Sequence, residues 1–193
     1  MSFVTGTQAE LLFTLNSPIT KNTYTTIAAY TGVVGTNSVA YIPAGWAGTG
    51  GVTPVGRALR YTALGTIANT AAATFANAIN VNPTPGTSTG NIVINTAYTP
   101  TASVTAGFFV DAYMTITAYA TSTMTLQING TVTYMTIASG GAVSTAPSQQ
   151  IFNGSIASLD PRVNQYVELF GTWSASNAAN TTTVQQALLW GLN

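Results

Sequence analysis

The sequence predicts an all-β protein, a jelly-roll-like antiparallel β-sandwich, and three observations carry that expectation. Residues that suit a pleated, half-buried surface dominate: 35 of 193 are Thr, and nine Tyr and seven Phe join many Val and Ile, while Glu, Lys and Arg are scarce. Apolar and hydroxyl side chains alternate with the period of two that puts successive residues on opposite faces of a strand. Clusters of Gly and Pro punctuate these runs at short intervals, the spacing of sandwiches with about eight core strands and extra edge strands. A chain of this length forms one domain, here residues 1–193, and buries roughly 70% of its unfolded surface without staples. Residues 1–22 are a candidate extended arm.

Strand-forming runs fall at 9–15, 23–30, 39–42, 58–67, 74–81 and 90–95. They continue at 108–120, 123–128, 131–137, 150–156, 166–172 and 181–190. Loops are expected at 43–55, with four glycines and Trp46, at 82–90, with Pro83 and Pro85, and at 140–148, with Pro147. The sharpest local signal is Asn129-Gly130 between two alternating runs, because Asn-Gly supplies the two positive-φ residues of a type I′ turn. A hairpin is therefore expected there, with Met124, Leu126 and Ile128 on the core face of its first strand and Val132 and Tyr134 on one face of its second. In 108–119, Val110, Ala112, Met114 and Ile116 share one face; Phe109, Asp111, Tyr113, Thr115, Thr117 and Tyr119 share the other. Bulk on both faces marks a central strand or one that meets a neighbouring subunit.

Only eight residues carry a formal charge: Glu10, Lys21, Arg57, Arg60, Asp111, Asp160, Arg162 and Glu168. An ordinary soluble domain spends about a quarter of its residues on such groups. The surface here must be hydrated by Thr, Ser, Asn and Gln, which protect poorly against association and suit a protein packed beside identical copies. Four bases balance four acids, so no field draws phosphate backbones and no nucleic-acid partner is expected. Thr, Gly and Asn interrupt every apolar run before it reaches the length of a membrane helix, so no membrane partner is expected either. The N-terminus lacks the basic and apolar segments of a secretory signal, which predicts synthesis in the cytoplasm without cleavage. A composition 46% apolar opposes disorder.

The absence of His and Cys removes thiolate chemistry, the commonest metal ligand and the near-neutral proton shuttle. No enzyme activity, metal or cofactor is expected. A two-carboxylate hydrolase would have to use Asp111 and Glu168 or recruit Glu10 or Asp160; the plainer reading is that each strand carboxylate pairs with Arg57, Arg60 or a backbone donor. Asp160-Pro161-Arg162 reads as a turn whose aspartate accepts backbone N–H bonds. A Ser or Thr nucleophile has no His base, and Lys21 has no matching Ser-x-x-Lys arrangement. The glycines of 45–56 lack the Gly-Lys-Ser/Thr of a phosphate cradle. Trp46, Trp173 and Trp190 are sandwich-core or interface residues first and sugar-stacking platforms second.

Residues Gln165-Tyr-Val-Glu-Leu-Phe-Gly-Thr-Trp-Ser-Ala-Ser-Asn-Ala-Ala-Asn-Thr-Thr-Thr-Val-Gln-Gln-Ala-Leu-Leu-Trp-Gly-Leu-Asn193 carry a more specific signal. The Glu-Leu-x-x-Thr-Trp strand, Ser/Ala/Asn turn, Asn-Thr opening and Gly-Leu-Asn terminus, with Tyr41-Ile-Pro-Ala-Gly-Trp46, resemble the jelly-roll head decoration or head-fibre proteins of tailed phages that infect actinobacteria, often called minor tail proteins. The resemblance covers about a third of the chain and is structural. It implies a non-enzymatic virion protein, made in the host cytoplasm, that binds the major capsid protein on the outer surface of an icosahedral head as a homotrimer. Phe109, Tyr113 and Tyr119 are the candidate trimer interface and the arm the candidate capsid contact. The alternative is a tail-associated fibre or receptor-binding module that reads a host-surface glycan, with Trp46 as candidate glycan contact.

Overall fold

The computed structural model describes residues 9–15, 17–22, 28–29, 40–51, 54–69, 73–87, 89–90, 92–93, 97–100, 105–137 and 147–192. Strands β1 (Ala9–Thr14), β2 (Ile19–Asn22), β3 (Ala28–Ala29) and β4 (Ala40–Ile42) precede a 3-10 helix, Trp46–Gly51. Then come β5 (Ala58–Ala68), β6 (Phe75–Asn82), β7 (Ile92–Val93), β8 (Thr105–Tyr119), β9 (Met124–Ile137), β10 (Ser148–Leu159), β11 (Gln165–Trp173) and β12 (Thr181–Leu192).

These strands make two antiparallel sheets. The large sheet runs β1-β12-β5-β8-β9-β10, and β2 continues the line of β1 along β12; the small sheet runs β3-β11-β6-β7, and β4 continues the line of β3 along β11. Taking β1-β12-β5-β8 against β4-β11-β6-β7 gives the interleaved eight-strand frame of a jelly roll. Strands β9 and β10 are inserted between β8 and β11 and extend the large sheet outward. The fold expected from composition and alternation is the fold observed.

The core lies between the sheets. β5 alternates strictly, with Leu59, Tyr61, Ala63 and Ile67 buried and their neighbours half-buried. Val110, Ala112, Met114 and Ile116 of β8 all point inward, as their spacing predicts. Phe75 packs on Trp173 with ring centroids 4.9 Å apart, and Tyr98 stacks on Tyr134 at 4.1 Å. Asn77 Nδ2 donates to the Tyr134 hydroxyl at 2.9 Å, which satisfies a polar atom that burial would otherwise penalise. Each large side chain in this layer contributes about 1.5–3 kcal/mol through removal from water.

The Asn129-Gly130 hairpin does not form. Both residues lie inside β9, which pairs with β8 from Thr105↔Ile137 to Tyr119↔Met124 without a turn. Side-chain parity explains it. A two-residue turn at 129–130 would set Ile128 opposite Thr131 and Leu126 opposite Thr133, mixing apolar and hydroxyl groups on each face. A continuous strand keeps Met124, Leu126, Ile128, Val132 and Tyr134 together in the core. Gly130 is needed for close packing: an added Cβ would sit 2.2 Å from the Asp111 carbonyl oxygen and 2.7 Å from Phe152 Cζ. Gly65 repeats the device, with its partner Phe108 lying 2.7 Å from an added Cβ.

The described part of the candidate arm lies along the large sheet. β1 and β2 are sheet strands hydrogen-bonded to β12, and Leu15 N donates to Ala187 O at 2.9 Å between them. Residues 1–8 of that expectation lie outside the described residues, as do most of the expected strand 23–30 and loop 140–148.

Candidate functional site

The outer face of the large sheet gathers the exposed chemistry of the chain. Register aligns one transverse row across six strands: Leu11, Trp190, Arg60, Tyr113, Asn129 and Asn153. The next row runs Thr14, Leu188, Thr62, Asp111, Thr131 and Ile151. Antiparallel partners share a face, so both rows point away from the core.

At the centre, Arg60 on β5 reaches diagonally to Asp111 on β8. Its Nε donates to Oδ1 at 2.8 Å and its Nη2 to Oδ2 at 2.9 Å, a bidentate fork. The guanidinium also lies over Tyr113, 5.4 Å from the ring centroid. The hydrogen bonds to Asp111 hold the Arg60 pKa above its ordinary value. The pair cancels its own charge, so this face is nearly neutral. Tyr113 is 44% exposed and Leu11 48%. Trp190 is half-buried on the same face.

The expected interface trio is divided by the fold. Phe109 and Tyr113 share the outer face, Phe109 half-buried opposite Leu64. Tyr119 does not join them: a bulge between Ile116 and Ala118 inverts the side-chain alternation, pairs Tyr119 with buried Met124 and packs it against the core. Its hydroxyl lies 3.0 Å from where Gly48 would carry a Cβ.

Trp46 is not a glycan platform, which corrects that expectation. It is 6% exposed, Arg57 covers its ring at 4.5 Å, and the Gly191 backbone approaches so closely that a Cβ there would lie 3.0 Å from Cζ2. Arg57 Nη1 donates to the Trp46 carbonyl. Gly45 N donates to Pro161 O at 2.8 Å and Ala44 N to Asn164 Oδ1 at 2.9 Å, pinning the loop to the β10–β11 connection. Trp173 is core, as expected of most tryptophans in a sandwich. Alternation alone does not place Trp190 on the outer face, because a second bulge between Val184 and Gln186 resets the faces of β12.

The carboxylates do not converge. Asp111 lies on the outer face of the large sheet, whereas Glu168 is buried in β11 of the small sheet, where its Oε2 accepts from Gly86 N at 2.8 Å. Each thus has the Arg or backbone partner that its strand position suggested. Asp160 accepts Arg162 N and Nε at 2.9 Å each and Arg162 Nη2 at 2.8 Å, closing the predicted turn. The Arg162 hydrogen bonds bring the Asp160 pKa down to about 2. Burial pushes the phenols of Tyr61 and Tyr134 well above their ordinary range, so neither supplies a proton carrier near neutrality. Among the described residues no three acidic side chains cluster to hold a metal ion.

No protein-family model matches the chain, and no curated protein matches it. Among solved structures it is similar to the CBM2 module of the evolved Dit of Lactobacillus casei BL23 phage J-1. The identity is 11%, the match covers 98% of each chain, and the TM-score is 0.33, a likeness that carries no argument about function.

Proposed function

We propose that the protein is a non-enzymatic virion structural protein, a capsid decoration protein that binds the major capsid protein on the outer surface of an icosahedral phage head. The observation that carries this reading is the character of the large sheet's outer face: it is built on sheet rather than in a loop-lined groove, it is neutral, and it sets exposed Leu11 and Tyr113 in one row with half-buried Trp190. Such a face docks by shape, apolar contact and many modest hydrogen bonds without electrostatic steering. The C-terminal resemblance and the sparse charge point the same way. Antibody labelling of source virions in the electron microscope tests it. Label over the head facets is expected; label confined to the tail overturns it.

A second reading, a tail-associated module that recognises a host glycan, is favoured by the adjacency of Trp190, Arg60, Asp111 and Tyr113. Aromatic faces beside a bidentate ion pair offer both stacking and hydrogen-bonding groups to a pyranose. A glycan array probed with the native chain and with Tyr113→Ala decides this: glycan signal that Tyr113→Ala abolishes supports recognition, and a blank array opposes it.

A further inference from the structure

We infer that β10 is a self-pairing edge, and that two copies of this chain join their large sheets through antiparallel β10 strands about a two-fold axis. This stands apart from the proposed function, which uses the outer face rather than the edge.

β10 ends the large sheet, and among the described residues its sheet partner is β9 alone. Among the described residues, no backbone partner meets the other side of this twelve-residue strand. Proteins that remain monomeric blunt such edges with charge, proline, bulges or cover. The span 148–159 contains no charged residue and no proline. Its register to β9 is unbroken from Ser148 to Ile156, and the bulge comes only afterwards, before Leu159. Ile151 is 84% exposed, the most exposed large apolar side chain among the described residues.

Several features commit the occupant to a second copy. An antiparallel ladder is symmetric under a two-fold axis, so an identical strand satisfies every free backbone group that β10 offers. A neutral strand does not repel its own image. Same-face pairing sets the Gln149, Ile151, Asn153 and Ser155 side of one strand beside that of its mate, and covers Ile151. The opposite edge of the large sheet carries Glu10, Lys21 and Pro18, and the terminal strands of the small sheet, β3 and β7, are two residues long. With one long unguarded edge among the described residues, association stops at two.

Sedimentation velocity of the purified full chain in a dilution series tests this. The native chain is expected to sediment as a dimer that dissociates on dilution. Ile151→Lys, which adds charge at a fully solvated position, is expected to weaken it at least about tenfold in dissociation constant, with an unchanged far-ultraviolet circular dichroism spectrum. Leu11→Lys, on the guarded edge, is expected to leave it intact. Because the chain has no cysteine, Ile151→Cys and Asn153→Cys report contact by disulfide formation, with Leu11→Cys as the control. A native chain that stays monomeric overturns the inference, whether or not another protein's strand takes the edge. So does a trimer, or a dimer as strong in Ile151→Lys as in the native chain.

Discussion

The two edges of the large sheet are built from the same kinds of residue and treated in opposite ways. Along β12, the edge made by β1 and β2 is broken in the middle, shifted by a bulge between Leu11 and Phe13, interrupted by Pro18 and charged at Glu10 and Lys21. It spends two of the chain's eight charges. At the other end, β10 is long and uncharged, and its ladder to β9 is regular from Ser148 to Ile156. A surface this poor in charge guards an edge only where a guard is placed, and the difference marks where the molecule resists a neighbour and where it accepts one.

The largest effect is expected where each edge leans on a glycine of its inner neighbour. Gly130 faces Phe152 of β10, and Gly191 faces Glu10 of β1. Gly130→Ala drives a methyl into backbone at 2.2 Å and should cost about 3 kcal/mol or more in urea unfolding. Gly191→Ala meets Trp46 at 3.0 Å and should cost about 1 kcal/mol. Equal losses would mean that the β8 backbone beside Gly130 yields as readily as the Trp46 side chain beside Gly191. Next, Ser158, at φ 61° in the bulge that ends the regular part of β10, holds a left-handed conformation that glycine adopts without strain. Ser158→Gly should stabilise the chain by about 1 kcal/mol, a gain without counterpart in β1. Asp111→Asn breaks the half-exposed fork between the edges and should cost about 0.5–1 kcal/mol, less in high salt.

The smallest effect is at the turn after β10. The Asp160 pKa is lowered in the folded chain, so its contribution is present above the unfolded value near 3.8 and is lost as pH falls through about 2. The pair is solvent-exposed, so Asp160→Asn should leave stability at neutral pH within error and flatten only the acid limb of a pH titration of unfolding.

How far the fold was legible follows from which interactions are local. Alternation read the faces of β8 up to Ile116, because a one-residue slip there would expose the whole apolar set. The Asn-Gly pair misled because turn propensity is a local preference of modest size, overridden by core burial along β9. The parity of Leu126, Ile128, Val132 and Tyr134 across it held the correct answer. β2 was missed because four residues around a lysine have little intrinsic signal and gain their structure from β12. At the candidate site, the Arg60–Asp111 partnership was within the expectation, but Tyr119 was placed on the wrong face because a bulge leaves no mark in composition. Trp46 in a glycine-rich loop suggested display; the cation above it, Arg57, lies just before β5, and the glycine below it comes from β12, far along the chain.

The position of β12 has a further consequence for how the molecule comes into being. It joins β1 and β2 to β5, while β11 joins β3 and β4 to β6. Translation delivers both strands after every partner they join, so each layer keeps an open seam until its own closing strand has left the ribosome. Closure then requires pairing across nearly the whole chain, the kind of topology that folds slowly. A chain halted before β12 would keep its large sheet split between β1 and β5 and could not present the outer face as one surface.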